Sequence, residues 1–352
     1  MNINFNVLEE SRKKTDFLAD TCIEEIFSNT DKSLIVQLMN ALENKGKNQK
    51  EYPAMIQNFY SNTCSNPLWI NFKLLKQGSD FFNSNAQNIM SILGYYSLPY
   101  CYAAADGAQV LFLSEKIRKN TTQRLIDTAN FLLEVMKENA FKENGNGLRC
   151  CQNIRLRHAL VRYKILKSNQ WNDDWGKPIN QEDMAGTNGA FSFITLRGLD
   201  KLGVFYSKEE AEAFMHLWKV IGYFMGVDEN LLTDNLKEAF QLDKLIAQRN
   251  FKKSEAGIEL TKSLIQSFIQ NTPNKIFHPL IHSFLRFLLG EKVADILEVP
   301  KKNLKGFERI FFNSLKTKNL IQQSFPFSSN NSATHAISLQ IISNSNLQTE
   351  AK

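Results

Sequence analysis

Apolar residues recur at three- and four-residue spacing along nearly all of a 352-residue chain, and no convincing run alternates with a period of two. That rhythm commits the backbone to helices. A helix closes its hydrogen bonds within its own segment, so its apolar stripe must be buried against other helices. The fold class is therefore all-α, with a single large helical domain spanning residues 1–323. The periodicity predicts helices at 15–28, 31–44, 51–60, 68–78, 84–95, 100–115, 121–139, 148–168, 181–198, 207–225, 231–248, 254–270, 274–289 and 302–315. Thr121 or Thr122 can cap the helix carrying Arg124, and Ser207 with Glu210 forms a capping box. Asn144 to Gly147 and Trp171 to Lys177, with Pro178 next, break the chain between helices.

Composition narrows the classes. With 43% hydrophobic residues and 26 Phe the chain can bury a large core. A net charge of +6, spread among Asp and Glu without a basic stripe, argues against a nucleic-acid partner. The start, MNINFNVLEESRKKTDFLAD, lacks the apolar core of an export signal. Cys22, Cys64, Cys101, Cys150 and Cys151 fit neither a zinc site nor a disulfide framework, and reduced thiols in a cytoplasm are the expectation. The uncharged stretch Ile92 to Ala105, apolar as far as Leu113, is read as buried helix. Asp106, Gln109 and the Pro99 break interrupt the roughly 20 residues that a span needs. From Ser324 the chain turns to Ser and Asn, and 324–352 is expected to be a flexible tail.

One helix can carry chemistry. Projected at 100° per residue, RCCQNIRLRHALVRYKIL (149–166) sets His158 on a face with Cys151, Ile154, Val161 and Ile165. Arg155 and Arg162, three before and four after, edge that face. The histidine can ligate a haem iron while the arginines meet the two propionates. The same residues also suit a core histidine bonded to a carbonyl with two surface arginines, and the helix alone leaves both open. In TTQRLIDTANFLLEVMKENAF, Leu125, Ala129, Leu132 and Met136 form the buried face. Arg124 and Thr128 lie at its edge, where they can orient dioxygen or a propionate, and Asp127 points away. Asn180 can cap a helix whose first turn holds Glu182 and Asp183, acids that complement the helix dipole. His216, on a stripe with Glu212, Lys219 and Tyr223, is a candidate pocket residue or second ligand, or a histidine paired with Glu212.

LPYCYAAADGAQVL (98–111), RLIDT (124–128), RLRHALVR (155–162), PINQEDMAGTNGAFS (178–192) and HLWKVIGYFMGV (216–227) follow one another in an order that resembles the MpaB/rubber-oxygenase (latex-clearing-protein-like) family. The similarity covers roughly residues 60–230. It implies a globin-like helical core around one b-type haem, His158 as proximal iron ligand, and Arg124 and Thr128 at the haem pocket. It further implies an oxygenase that uses dioxygen to cleave a carbon–carbon double bond in an isoprenoid. Asp127 stands where rubber-cleaving members carry a lysine that can close the distal iron position. The expected partners are thus an apolar small molecule and dioxygen. Two other functions fit the sequence: a haem protein that binds gas without catalysis, and a helical interaction protein without cofactor.

Overall fold

The computed structural model describes residues 3–43, 52–114, 121–143, 145–272 and 274–302. The expected helix at 302–315 and the expected tail at 324–352 lie outside the described residues, apart from Lys302. In chain order the helices are α1 (Phe5–Arg12), α2 (Phe17–Ser28), α3 (Ser33–Leu42), α4 (Ala54–Asn62), α5 (Phe72–Ile92), α6 (Leu98–Tyr102), α7 (Ala105–Leu113) and α8 (Thr121–Val135). They continue with α9 (Gly147–Lys167), α10 (Gln181–Phe191), α11 (Phe193–Lys201), α12 (Lys208–Phe224), α13 (Leu236–Asn250), α14 (Glu255–Gln270), α15 (His278–Leu289) and α16 (Glu291–Ile296). No strand occurs among the described residues beyond one isolated bridge between Ala104 and Phe251.

Several boundaries move for identifiable reasons. The two helices expected at 68–78 and 84–95 are one, α5. Its mid-helix Asn83 and Asn85 turn their amides back onto Ser79 and the Phe81 carbonyl, so they do not break it. A π-helical turn, Leu93–Ser97, joins α5 to α6. The helix expected at 100–115 splits at Ala104, whose ψ of 91° leaves the helical region, while Ala103 accepts from the Lys252 amide across the chain. Ser192 splits the helix expected at 181–198, and Asn235 caps α13 several residues later than expected. The short α1, absent from the periodicity reading, starts at an Asn4 cap. The Ser207–Glu210 capping box and the Asn180 cap form as expected.

Three apolar clusters fill the structure. The largest is built on α5, α12 and α14, with Phe81, Phe214, Trp218 and Leu264 buried in it. A second joins α2, α3 and α4 to Leu156, Ala159 and Leu160 of α9. A third sets Leu8 of α1 against Met184, Val227 and Ile246. Burying each Leu, Ile or Phe contributes about 1.5–3 kcal/mol, so the layers are held mainly by these contacts. α9 gives one face to the second cluster and leaves the His158 face for other use. No helix among the described residues is long and apolar enough to cross a membrane, and Ile92–Leu113 is broken into three helical pieces.

Candidate functional site

His158 is half-buried, yet desolvation dominates its chemistry. Burial, aided by the Arg162 charge and opposed by Asp16, pushes the imidazole down to about 4, so it is neutral at pH 7. Its Nδ1 is buried without a hydrogen-bond partner. Among the described residues it is the one histidine with such an orphaned ring nitrogen. The carbonyl partner that would have made His158 an ordinary core residue is missing at that atom.

The flanking arginines have found other partners. Arg155 donates from Nε and Nη2 to Asp16 at 2.6 and 2.8 Å, a buried two-pronged pair. Arg162 donates from Nε to Asp20 at 2.8 Å and from Nη1 to the carbonyls of Pro178 and Ile179 at 3.3 and 3.0 Å. Ile179 holds a φ of 54°, an uncommon conformation for a β-branched residue, and Arg162 secures its carbonyl. Both guanidinium groups are thus engaged at the expected places beside His158, with α2, its Asp16 cap and the loop into α10. Gly226, at φ +80°, lets the backbone approach this layer. A Cβ there would lie 2.8 Å from Arg155 Nε and 2.9 Å from Asp16 Oδ2.

Beside this layer lies a polar cluster around Arg12, the last residue of α1. Its Nη1 donates to Asn250 at 3.0 Å and stands 3.4 Å from both Glu182 and Asp183, while Nη2 donates to the Trp175 carbonyl and sits 3.6 Å from Asp106. Glu182 is fully compensated, since Arg249 and Asn250 donate to it at 3.0 and 2.9 Å. Asp183 is not. It receives an amide N–H from Asn180 at 2.8 Å and the long Arg12 contact, and burial pushes its carboxyl up to about 7. Its side chain nevertheless keeps 16% of its surface. Half-buried Cys101 is likewise pushed up, to about 12, by burial. Gly107 of α7 makes room for the Asp183 carboxyl, where a Cβ would come within 3.1 Å.

Arg124 and Thr128 occupy the expected edge of α8, above buried Ala129 and Leu132. The Arg124 guanidinium lies 5.3 Å from the Tyr102 ring centroid and bears on Cys101, which also faces Thr187 and Asp183. The Thr128 hydroxyl donates to the Arg124 carbonyl at 2.8 Å. Asp127 is exposed and accepts from Gln123, as its position on the wheel predicts. α8 packs along α9, bringing the Arg124–Thr128 helix beside the His158 helix.

His216 stands elsewhere in function. Its Nε2 accepts from the Asn71 amide at 3.0 Å, its ring meets Trp69 edge-on, and Glu212 pairs with Lys208 instead. Burial pushes its pKa down. All five cysteines are free. The residues missed from sequence are Arg12, Asp16 and Asp20. Arg155 and Arg162, two turns apart on one edge of α9, signalled a need for carboxylates, and Asp16 and Asp20, one turn apart, could have supplied them.

The family described as "ER-bound oxygenase mpaB/B'/Rubber oxygenase, catalytic domain" matches residues 99–313. That match reaches well past residue 230, so α13 to α16 also belong to the family's domain, beyond the span the motifs suggested. The rubber oxygenase of Streptomyces sp. (strain K30) is 22% identical over 253 residues, 71% of this chain but 62% of the relative's own length. The solved latex clearing protein LCP in its closed state superposes with a TM-score of 0.78 at 20% identity, over 91% of this chain and 86% of that one, a likeness of fold. With more than half of its length matched, this chain belongs to the MpaB/rubber-oxygenase catalytic-domain family.

Proposed function

We propose that the chain is a haem b-dependent oxygenase that uses dioxygen to oxidise or cleave an alkene in an isoprenoid or another apolar small molecule. The observation that carries this reading is His158, a deeply placed, neutral imidazole with an orphaned ring nitrogen on the helix that bears the family's RLRHALVR motif. A metal ligand must be unprotonated, and an imidazole pushed down to about 4 is so throughout the neutral range. The residues present fit a haem: His158 would hold the iron, and Arg124 and Thr128 would edge the pocket. The haem, when bound, supplies the redox chemistry toward dioxygen.

The chain's own residues have separate duties. Arg124 presents a positive charge beside Tyr102 and Cys101, where it can hold an anionic or polarised oxygen group. Asp183 can hold a proton at its carboxyl near neutral pH. Apolar side chains such as Leu125, Ile154 and Val161 exclude water from the faces of α8 and α9. The name of the Streptomyces relative supports an unsaturated hydrocarbon as substrate class.

The test is reconstitution with hemin, followed by a pyridine haemochrome assay and measurement of oxygen uptake with squalene. Wild type is expected to take up one haem, consume oxygen and yield carbonyl products, and His158→Ala to lose stoichiometric haem while staying helical. Full haem content in His158→Ala would overturn the ligand assignment. Haem without oxygen uptake on any unsaturated isoprenoid would favour a gas-binding protein instead.

A further inference from the structure

The amino-terminal segment contributes three charged side chains at four-residue spacing, Arg12, Asp16 and Asp20. Each reaches a different part of the candidate site. Arg12 touches Glu182 and Asp183 of α10 and Asn250 of α13. Asp16 takes both prongs of Arg155, and Asp20 takes Arg162. All three lie N-terminal to residue 99, where the family match begins.

Arg155 and Arg162 are the residues three before and four after His158, one helical turn away on either side. Clamping both therefore fixes the rotation of α9 about its axis at the histidine. The clamp is tight. Asp16 and Arg155 are buried, and the Gly226 backbone closes in on their contact from outside. It is also anchored at its far end, because Asp16 caps α2 by accepting from the Ala19 amide at 3.3 Å. Through Arg162, the same clamp grips the Pro178 and Ile179 carbonyls and so sets where α10, with Asp183, begins.

We propose that residues 5–20 form a strap whose Asp16 and Asp20 act as positioning residues, holding His158 in register through Arg155 and Arg162. This rests on the reading of His158 as the iron ligand, and its test separates the two. Asp16→Asn keeps the shape and the capping oxygen, and removes the charge together with the prong that accepts from Arg155 Nε. Asp20, more exposed, gives a second and milder variant in Asp20→Asn, and Asp20→Glu restores the charge with an arm for which there is room.

Two measurements apply to each protein. The first is haem loss to apomyoglobin from the hemin-loaded chain, with the iron–histidine stretch read by resonance Raman in the ferrous form. The second, on the haem-free protein, is the rate of carbethoxylation of His158 by diethyl pyrocarbonate, mapped by mass spectrometry. Loss of a residue that orients a metal-ligating histidine costs roughly 10- to 100-fold in affinity. Asp16→Asn and Asp20→Asn are therefore expected to lose haem faster by that order, to shift the iron–histidine stretch, and to expose His158 to carbethoxylation. Asp20→Glu is expected to return all three toward wild type. Wild-type haem loss and an unshifted stretch in both Asn variants would overturn the strap while leaving the ligand assignment standing. If wild-type protein takes no haem, the ligand assignment falls, and the haem-free measurement decides the strap: unchanged carbethoxylation overturns it, faster carbethoxylation supports it.

Discussion

The contact between Gly226 and the Asp16–Arg155 pair can be measured as a coupling energy. Gly226→Ala adds one methyl group at φ +80°, a conformation that costs an L residue roughly 1–2 kcal/mol. The added Cβ would also stand 2.8 Å from Arg155 Nε and 2.9 Å from Asp16 Oδ2, well inside contact distance. It must push the two prongs apart, although they now close at 2.6 and 2.8 Å. Breaking a buried pair outright costs about 3–5 kcal/mol, and partial separation about 2–3 kcal/mol of that. The sum for Gly226→Ala is thus about 3–5 kcal/mol. The second arm of the cycle removes the pair by Asp16→Asn with Arg155→Met, which spares the α2 cap and leaves no buried charge behind. In that background only the backbone strain remains, about 1–2 kcal/mol. Urea unfolding followed by circular dichroism at 222 nm gives both values, with an expected coupling of about 2–3 kcal/mol. A coupling below about 0.5 kcal/mol would refute the reasoning, since distant, independent sites already add to within that margin.

Other outcomes follow from the same geometry. Asp183, raised to about 7, holds a proton in the folded chain that the unfolded chain releases near 4, so it erodes stability as pH rises through that window. His158, lowered to about 4, works oppositely, adding stability as pH rises from about 4 to 6.5. Asp183→Asn is therefore expected to uncover a rise of stability from pH 4 to 6.5 and to abolish the fall from 6.5 to about 7, read by urea titration at each pH. An unchanged profile would show that Asp183 is ionised in the fold. Burial raises the thiols of Cys22, Cys101, Cys150 and Cys151, and only Cys64 is exposed. Ellman's reagent at pH 8 should find one fast thiol, lost in Cys64→Ser, and two fast thiols would contradict the burial of the rest.

Much of this architecture was legible because helical rhythm is local. The buried stripe of α8, the outward Asp127, the Asn180 cap and the Ser207 capping box all follow from residues within one or two turns of each other. What the rhythm could not show was partnership across the chain. Asp16 and Arg155 are 139 residues apart, and Arg12 and Glu182 are 170 apart. A lone Arg on an apolar face looks the same whether it awaits a carboxylate of the protein or of a ligand, which is why Arg155 and Arg162 were read toward propionates. Asp183 misled in the opposite direction. At a helix N-terminus an acid is ordinarily ionised and helpful, whereas here burial above all, with Glu182 and Asp106 crowded around the shared Arg12, raises its proton affinity.

Those separations also bear on how the molecule is made. The strap leaves the ribosome well before its partners, since the arginines it clamps follow some 140 residues later and Glu182 later still. At roughly 5–20 residues per second, Asp16 and Asp20 wait on the order of ten to thirty seconds for their partners. During that interval Cys22, Ile23 and Ile26 travel on a short helix whose apolar neighbours in α9, Leu156, Ala159 and Leu160, do not yet exist. The growing chain is then most open to capture by chaperones or proteases until α9 and α10 emerge. A translational pause placed before residue 147 would prolong that exposure, and one placed after residue 191 would not.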